Sequence, residues 1–434
     1  MKTIKLLVIG VAFAAVLHAV QAAPTYPVVG TGQTKCFDNL REIAPPQPGQ
    51  PFYGQNAQYR GIQPACKDNG DGTVSDLNTG LMWVQKPPTD KYTWADAAQV
   101  AASLNAQNFA GHGDWRLPSA KELYSIINHD KGWPYIDTRY FVCELAPEIE
   151  DQVKNTQYWT SNESVAVAGR PEAFGVNFAT GHIKAYPVGM GSYVRCVRGN
   201  PDYGKNDLVA NNDKTITDRA TGLMWSQEDS QKGLNWEEAL AWVQARNGED
   251  YLGHNDWRLP NVREMQSIVD YARIPGAAHS TGVATAIDPL FLCTPITDQD
   301  GNTDCPYYWT STSCYNGPTN PDYRFAWYVS FGRPASSTDS GGPGVSRARS
   351  RLVAEAGAIR YDAKVKSGAG GGPGGPGSRP AGPPGSGPGA GPGGPGGGPS
   401  GRPGGGPGGG GERICNYVRL VRGGNINFIS PERR

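Results

Sequence analysis

Apolar residues recur at helical spacing in two segments of the chain, which follow the capping residues Thr93 and Asn235. Positions i, i+3, i+4 and i+7 share one face of a helix, so this spacing predicts one amphipathic helix in each segment. Asp96 and Glu238, three positions after the capping residues, complete a capping box. The inward positions are Ala97, Val100, Ala101 and Leu104 in the first segment and Ala239, Leu240 and Val243 in the second.

A second pair of helices is predicted after Ser119 and Asn261. Each capping residue follows a proline and precedes a glutamate by three positions, which is again the capping-box pattern. We expect helices of about ten residues, each stabilised by about 1 kcal/mol through its cap. The apolar positions are Leu123, Ile126 and Ile127 in the first and Met265, Ile268 and Val269 in the second.

Alternating and β-rich segments flank these helices and indicate antiparallel strands. A hairpin is predicted near the start of the first repeat, with strands at 73–74 and 81–83 and its turn in the Gly-Asp-Gly cluster of 68–72. The other predicted strands occur in pairs, at 158–161 and 308–311, at 173–178 and 326–331, and at the closing segments 193–199 and 417–423.

The chain is a tandem duplication. The segment 111–118, Gly-His-Gly-Asp-Trp-Arg-Leu-Pro, returns at 253–260 with seven of eight residues identical and 142 residues downstream. A chain of 434 residues is also too long for one ordinary core. We therefore predict an α+β protein with two domains in tandem, at 62–199 and 206–424.

The repeated Asp-Trp-Arg run has two interpretations. In the structural one, Asp114 and Asp256 pair with the arginine of the run or with backbone N–H groups, and the tryptophans fill the core. In the functional one, Arg116 and Arg258 bind an anion beside a histidine. We favour the structural interpretation because both copies keep the run regardless of what surrounds them.

The N-terminus predicts export. Lys2 and Lys5 precede an apolar run at 6–17 and small residues before Ala22, so residues 1–22 are expected to be a signal peptide. The run is too short to span a bilayer, and no transmembrane span is predicted; the alternative is an N-terminal membrane anchor. Residues 23–61 form a Pro-rich leader and 425–434 a tail. An extracellular, cell-surface or periplasmic location follows.

Eight cysteines without a C-x-x-C pair fit an oxidising compartment. Four disulfides are predicted, and 105 connectivities are possible. Sequence proximity favours Cys36–Cys66 and Cys305–Cys314. Within the first repeat Cys143–Cys196 is a third candidate, which leaves Cys293–Cys415. The last pair is weakened because Leu420, not a cysteine, aligns with Cys196.

The second repeat carries a long insertion at 332–416, where the first repeat has only 14 residues, 179–192. Within it, the Gly/Pro-rich tract 368–411 lacks a three-residue period, so we predict disorder rather than a collagen helix. From residue 345 to the C-terminus there are 13 Lys and Arg and 4 Asp and Glu, a net charge of +9. The insertion is either a polyanion-binding segment or a solvated loop; its candidate ligand-binding residues are Arg347, Arg349, Arg351, Lys364 and Lys366.

Two further features differ between the repeats. Trp133, like Trp242 and Trp327, has no counterpart and is freer to be exposed; in its Gly-Trp-Pro-Tyr loop it is a candidate for stacking on a sugar ring. Asp298, Asp300 and Asp304 form either a calcium site or a solvated loop. No other cofactor is expected.

The order of these motifs closely resembles the C-terminal domain family of the Legionella collagen-like adhesin (Lcl). The shared signals are Thr-Gly-Leu-Met-Trp, the Trp-led helix, Asp-Trp-Arg-Leu-Pro, Tyr-Trp-Thr-Ser and Tyr-Val-Arg-Cys-Val-Arg-Gly, over about 66–199 and 206–424 without the insertion. The resemblance implies C-type-lectin-like domains, each with two helices and a small antiparallel sheet. It also implies a bacterial surface or secreted protein, and the adhesin itself is linked to sulfated polysaccharides.

These observations predict a secreted or surface-exposed, non-enzymatic binding protein that recognises an acidic or sulfated glycan. The alternative is a structural component of a cell-envelope or extracellular assembly. An enzyme related to the formylglycine-generating family is a third hypothesis, which would depend on Cys305 or Cys314, although that family's cysteine motif is not matched. Nucleic acid is not an expected partner, and the sequence leaves the oligomeric state open.

Overall fold

The computed structural model of the chain describes residues 24–130, 132, 134–143, 156–164, 171–273, 285–297, 303–314, 323–332, 356–365, 415–424 and 427–428. The predicted signal peptide and the Gly/Pro-rich tract lie outside these residues. Within them, no helix has the length and apolar character needed to cross a membrane. The mixture of helices and antiparallel sheets agrees with the α+β prediction.

Each repeat contributes one long and one short helix to the described residues. They are α1 at Trp94–Ala106, α2 at Ala120–Tyr124, α3 at Trp236–Gly248 and α4 at Val262–Ser267. The capping boxes at Ser119, Asn235 and Asn261 are confirmed. At Thr93 the hydroxyl accepts from the Asp96 N–H, as predicted. The Asp96 carboxylate, however, accepts from that hydroxyl instead of from the Thr93 backbone N–H. α2 and α4 are five and six residues long, so the expectation of about ten was wrong.

The predicted core positions beyond the short helices are nevertheless buried. Ile127 and Val269 are fully enclosed although they follow the last helical turn. The apolar residues keep helical spacing in the turn that follows each short helix, and their side chains still point inward. The spacing therefore predicted helices that are longer than those observed. The apolar pattern therefore located the core more accurately than it located the helix ends.

Each repeat has a four-stranded antiparallel sheet. The strands are β4 Cys66–Asp68, β5 Thr73–Asp76, β6 Leu81–Val84, β10 Val197–Gly199, β11 Leu208–Ala210, β12 Thr215–Asp218, β13 Leu223–Ser226 and β19 Val421–Gly423. The order is β10-β6-β5-β4 in the first repeat and β11-β12-β13-β19 in the second. The hairpin strands predicted at 73–74 and 81–83 are confirmed, but 77–80 connects them, and the 68–72 turn connects β4 to β5.

A six-stranded antiparallel sheet runs through both repeats. Its strands are β7 Gln157–Ser164, β8 Glu172–Asn177, β9 His182–Pro187, β16 Tyr307–Cys314, β17 Phe325–Ser330 and β18 Ile359–Ala363. They lie in the order β16-β17-β18-β9-β8-β7, and the repeats meet at the middle, where Ile359 pairs with Ile183. The outer pairs carry the same irregularity, between Trp159 and Glu163 in one repeat and between Trp309 and Ser313 in the other.

Strand β18 lies inside the segment that the sequence treated as one insertion. It is the counterpart of β9, because β9 follows β8 and β18 follows β17 along the chain and both occupy the centre of the sheet. Residues 356–365 are therefore part of the fold, and the prediction of a continuous insertion is wrong for them. β9 and β18 were missed although both alternate polar and apolar residues, as His-Ile-Lys-Ala in the first and Ile-Arg-Tyr-Asp-Ala in the second.

The remaining strands belong to the leader, to a hairpin in the second repeat and to the C-terminal end. They are β1 Cys36–Phe37, β2 Glu42–Ile43, β3 Tyr59–Arg60, β14 Ile296–Thr297, β15 Thr303–Asp304 and β20 Asn427–Phe428. The leader packs on the body of the protein: Tyr26, Val29 and Phe37 are buried. β3 pairs with β20, so the leader and the C-terminal end lie side by side.

Two cations at equivalent positions of the short helices join the repeats. Lys121 of α2 donates to the Ser267 carbonyl of the second repeat at 2.6 Å. Arg263 of α4 donates to the Ile127 carbonyl of the first repeat and to the Gly30 carbonyl of the leader, the latter at 2.8 Å. A core cluster that contains residues of both repeats lies around this contact, so the two repeats share one interior.

Candidate functional site

The tryptophans of the Asp-Trp-Arg run are structural in both repeats. The rings of Trp115 and Trp257 are buried, and their indole N–H groups donate to backbone carbonyls at 3.1 and 2.7 Å. Asn105 and Asn247 fix the backbone of these tryptophans, because each side-chain amide donates to the carbonyl and accepts from the N–H of its tryptophan. The structural interpretation of the run is thus confirmed for its tryptophans.

The charged partners in the run differ from those predicted. Asp114 accepts from Arg198 of the closing segment, and Asp256 accepts from Arg422, both at 2.6 Å. The prediction named the arginine of the same run or a backbone N–H group as the partner of each aspartate, and the first of these two is wrong.

The arginines of the run instead bind the capping-box glutamates. Arg116 pairs with Glu122 and Arg258 with Glu264, both at 2.6 Å. Burying a carboxylate without a partner costs free energy, which explains why each of these glutamates is paired with an arginine. Since both arginines are engaged in this contact, the anion-binding alternative loses its ligands.

An aromatic cluster fills the centre of the molecule, between the repeats. The Trp327 ring lies 5.4 Å from His129, 5.7 Å from Tyr135 and 5.6 Å from His182, between ring centroids. Trp327 is fully buried, so the expectation that it is freer to be exposed is wrong. The two histidines are 53 residues apart in the sequence, so only the fold brings them to the same ring.

We expect the protein to lose stability as the pH falls below about 6.5, the ordinary pKa of an unfolded histidine. Burial lowers the pKa of His129 and of His182 in the folded state. Below this pH the two histidines take up protons in the unfolded chain but stay neutral in the folded chain. The free energy of unfolding therefore falls as the pH is lowered. For the enclosed His129 the slope is up to about 1.4 kcal/mol per pH unit.

Thermal unfolding between pH 7.5 and 5 measures this effect, with His129→Gln as the test variant and His112→Gln, at a partly exposed position, as the control. The His129 variant should flatten the pH dependence and the His112 variant should leave it unchanged. An equal slope in all three proteins would contradict a role for the central histidine.

Lys364 does not belong to an exposed basic segment. Its side chain is fully buried, and its ammonium donates to Ser313 Oγ at 2.7 Å and to the Asp38 carbonyl at 3.0 Å. It also lies 4.3 Å from the centroid of the Trp236 ring. The prediction that Lys364 is a surface ligand-binding residue is corrected accordingly, because its charge holds the leader to the second repeat.

The other predicted site residues are distributed differently. Asp304 is buried, and one of its carboxylate oxygens accepts from the Cys305 N–H at 2.8 Å. The structure therefore places it at a strand end rather than in a solvated loop. Those that lie outside the described residues are Arg347, Arg349, Arg351, Lys366, Trp133, Asp298 and Asp300.

No two cysteine sulfurs lie at disulfide distance in the part of the chain that the structure describes, which includes all eight. The pairing of Cys305 with Cys314 is wrong on geometry. Cys305 lies two residues before β16 and Cys314 is the last residue of that strand; a strand rises about 3.3 Å per residue, whereas a disulfide joins Cα atoms about 5.5 Å apart. The other three predicted pairs, Cys36–Cys66, Cys143–Cys196 and Cys293–Cys415, are not formed either.

A polar cluster surrounds Cys293 instead. Arg419 of the closing segment is fully buried and donates to the Leu292 carbonyl at 2.9 Å, and it lies 3.8 Å from Cys293 Sγ. The Tyr308 hydroxyl donates to Asp229 at 2.7 Å and also lies within hydrogen-bonding contact of the Cys293 thiol. In the first repeat Arg195 makes the equivalent contact with a backbone carbonyl at 2.6 Å. The first arginine of each closing segment is therefore buried against carbonyls, whereas the second pairs with the aspartate of the Asp-Trp-Arg run.

Comparison with known proteins identifies the family. The model described as the Lcl C-terminal domain matches residues 72–198 and 214–354, more than half of the chain, so the chain belongs to the Lcl C-terminal domain family. The two matched segments correspond to the two repeats. The second match ends before β18 and β19, which complete that repeat in the structure. A search of curated proteins found no match.

Proposed function

We propose that this chain is a secreted or surface-exposed bacterial binding protein of the adhesin type, that it is not an enzyme, and that it recognises acidic or sulfated glycans through its basic insertion. Membership of the Lcl C-terminal domain family is the observation that carries the proposal. Residues 345–355 and 366–414 together hold seven Lys and Arg and two Asp and Glu, and this net charge of +5 supports an anionic ligand.

The attachment of the basic segment supports this role. Residues 333–355, which include three of the candidate arginines, connect Gly332 to Ala356. Gly357 N donates to the Ser330 carbonyl at 2.7 Å, so the two ends of the segment are held beside each other on the central sheet. This contact fixes the place on the protein where the segment begins and ends.

The ends of the Gly/Pro-rich segment also meet. Asn416 donates to the Asp362 carboxylate at 3.1 Å, although 54 residues separate them. A segment that starts and ends at one point cannot set the distance between the two repeats. This geometry argues against the structural alternative only in the form in which the tract spaces the two repeats apart.

Binding of heparin and fucoidan to the full chain tests the proposal. We expect the triple variant Arg347→Ser, Arg349→Ser and Arg351→Ser to weaken binding about tenfold or more, because each arginine removed loses a charge-assisted contact. The matched control replaces Arg379, Arg402 and Arg413 by serine, with the same change in net charge. Affinity should also fall steeply with added salt.

Equal weakening in both triple variants would show that binding depends on net charge and not on the arginines of residues 333–355. Unchanged binding in both would contradict the role of the basic insertion, and absence of binding by the wild type would overturn the glycan proposal. Retention on cell-envelope fractions that heparin does not compete would then favour the structural alternative.

A further inference from the structure

Two cysteines of the second repeat lie on either side of a short hairpin. Cys293 precedes β14 and Cys305 follows β15. In this hairpin Ile296 pairs with Asp304 and Thr297 with Thr303. Continuing the same register places residue 305 opposite residue 295, two positions from Cys293. The backbone therefore brings the two cysteines together independently of their side chains.

Their side chains are also in contact. The thiols of Cys293 and Cys305 hydrogen-bond each other, and Cys305 is fully buried. The hydrogen bond from Cys305, assisted by Arg419, lowers the pKa of the Cys293 thiol, while burial raises the pKa of Cys305. Cys293 is therefore the first of the two to ionise, and a thiolate beside a thiol is the arrangement that starts thiol–disulfide exchange.

We propose that Cys293 and Cys305 form a reversible disulfide, which closes a covalent ring around residues 294–304. The oxidant is a small-molecule or protein disulfide. The Cys293 thiolate attacks one of its sulfurs, giving a mixed disulfide and releasing one thiolate, which takes up a proton. Cys305 then loses its proton and attacks Cys293 Sγ, and the second thiol leaves. Two cysteine thiols are oxidised by two electrons, and the oxidant is reduced to two thiols.

The first repeat provides an internal control. Cys143 stands at the position of Cys293, since Tyr158 donates to its sulfur at 3.7 Å and Arg195 binds the preceding carbonyl. The residue that aligns with Cys305 is Asn155, because Gln157 and Tyr307 begin the equivalent strands β7 and β16. The first repeat therefore keeps the cation and the tyrosine but lacks the second cysteine of the pair.

The reduced full chain is incubated with glutathione disulfide, its remaining thiols are alkylated, and it is digested with Asp-N and chymotrypsin. Asp-N cuts between Cys293 and Cys305, and chymotrypsin cuts between Cys305 and Cys314. We expect a peptide pair joined through Cys293 and Cys305, which dithiothreitol separates. Oxidation should raise the melting temperature of the wild type and of Cys143→Ser, but not that of Cys293→Ser or Cys305→Ser.

A joined peptide that links Cys293 to any other cysteine, or a stable glutathione adduct on Cys293 with Cys305 still reduced, would overturn the proposal. Cys305→Ala provides a second measurement, which does not depend on oxidation, because alanine has no hydrogen-bond donor whereas serine keeps one. Alkylation of Cys293 in this variant should shift to higher pH, because the hydrogen bond from Cys305 is lost. An unchanged alkylation profile would contradict the contact on which the pair depends.

Discussion

Replacing Trp327 with alanine should lower the free energy of unfolding by about 3–5 kcal/mol, among the largest effects of any single substitution in this protein. The ring is fully buried and touches His129 and Tyr135 of the first repeat and Tyr361 of the second. Alanine would leave a cavity where the repeats meet. Urea unfolding followed by tryptophan fluorescence and circular dichroism measures the loss.

Trp327→Phe is the matched control for this prediction. Phenylalanine keeps an aromatic ring in the cluster and removes an indole N–H that has no hydrogen-bond partner among the described residues. We expect a loss of about 1 kcal/mol, well below that of alanine. Similar losses in the two variants would show that packing across the repeats contributes little at this position.

The second large effect is expected at Arg263. Its guanidinium is buried and donates to the carbonyls of Val29, Gly30 and Ile127. Arg263→Met would leave these acceptors without their donor, at a cost of about 3 kcal/mol or more. The leader should then detach more readily, so trypsin should cut faster at the exposed Lys35.

Urea unfolding and limited proteolysis together check this prediction. Lys205→Met is the control, because Lys205 forms an exposed ion pair with Asp202 and should contribute about 0–1 kcal/mol. Arg263→Lys keeps the charge but not the forked donor, and it should lie between the other two variants. Unchanged cleavage at Lys35 in Arg263→Met would contradict the role of this arginine in holding the leader.

Several features of the fold could be predicted because they depend on neighbouring residues. The capping boxes at Ser119, Asn235 and Asn261 each need only a polar residue and a glutamate three positions later. The duplicated tryptophans of the Asp-Trp-Arg run were assigned to the core because both copies retain them. Comparing two copies within one chain separated what each repeat needs from what only one of them has.

The candidate site could be predicted only in part. Charge and composition located the basic insertion, but they could not show that Lys364 is buried against Trp236 and Ser313. The short sequence distance between Cys305 and Cys314 also led to a wrong predicted pair. Cys305 is closer in sequence to Cys314 than to Cys293, yet an extended strand holds the first two apart and a hairpin brings the second two together.

The sequence by itself thus determined the two repeats, the residues at which their helices begin and most of their core. Helix caps depend on neighbouring residues, and buried apolar side chains recur at regular spacing, so both can be read from the sequence. The tertiary structure decided how the repeats join, through Ile183 and Ile359 in one sheet and through Lys121 and Arg263 across the short helices. It also decided which cation meets which acceptor. These contacts join residues far apart in the chain, so their partners are chosen by packing and by the need to pair every buried charge.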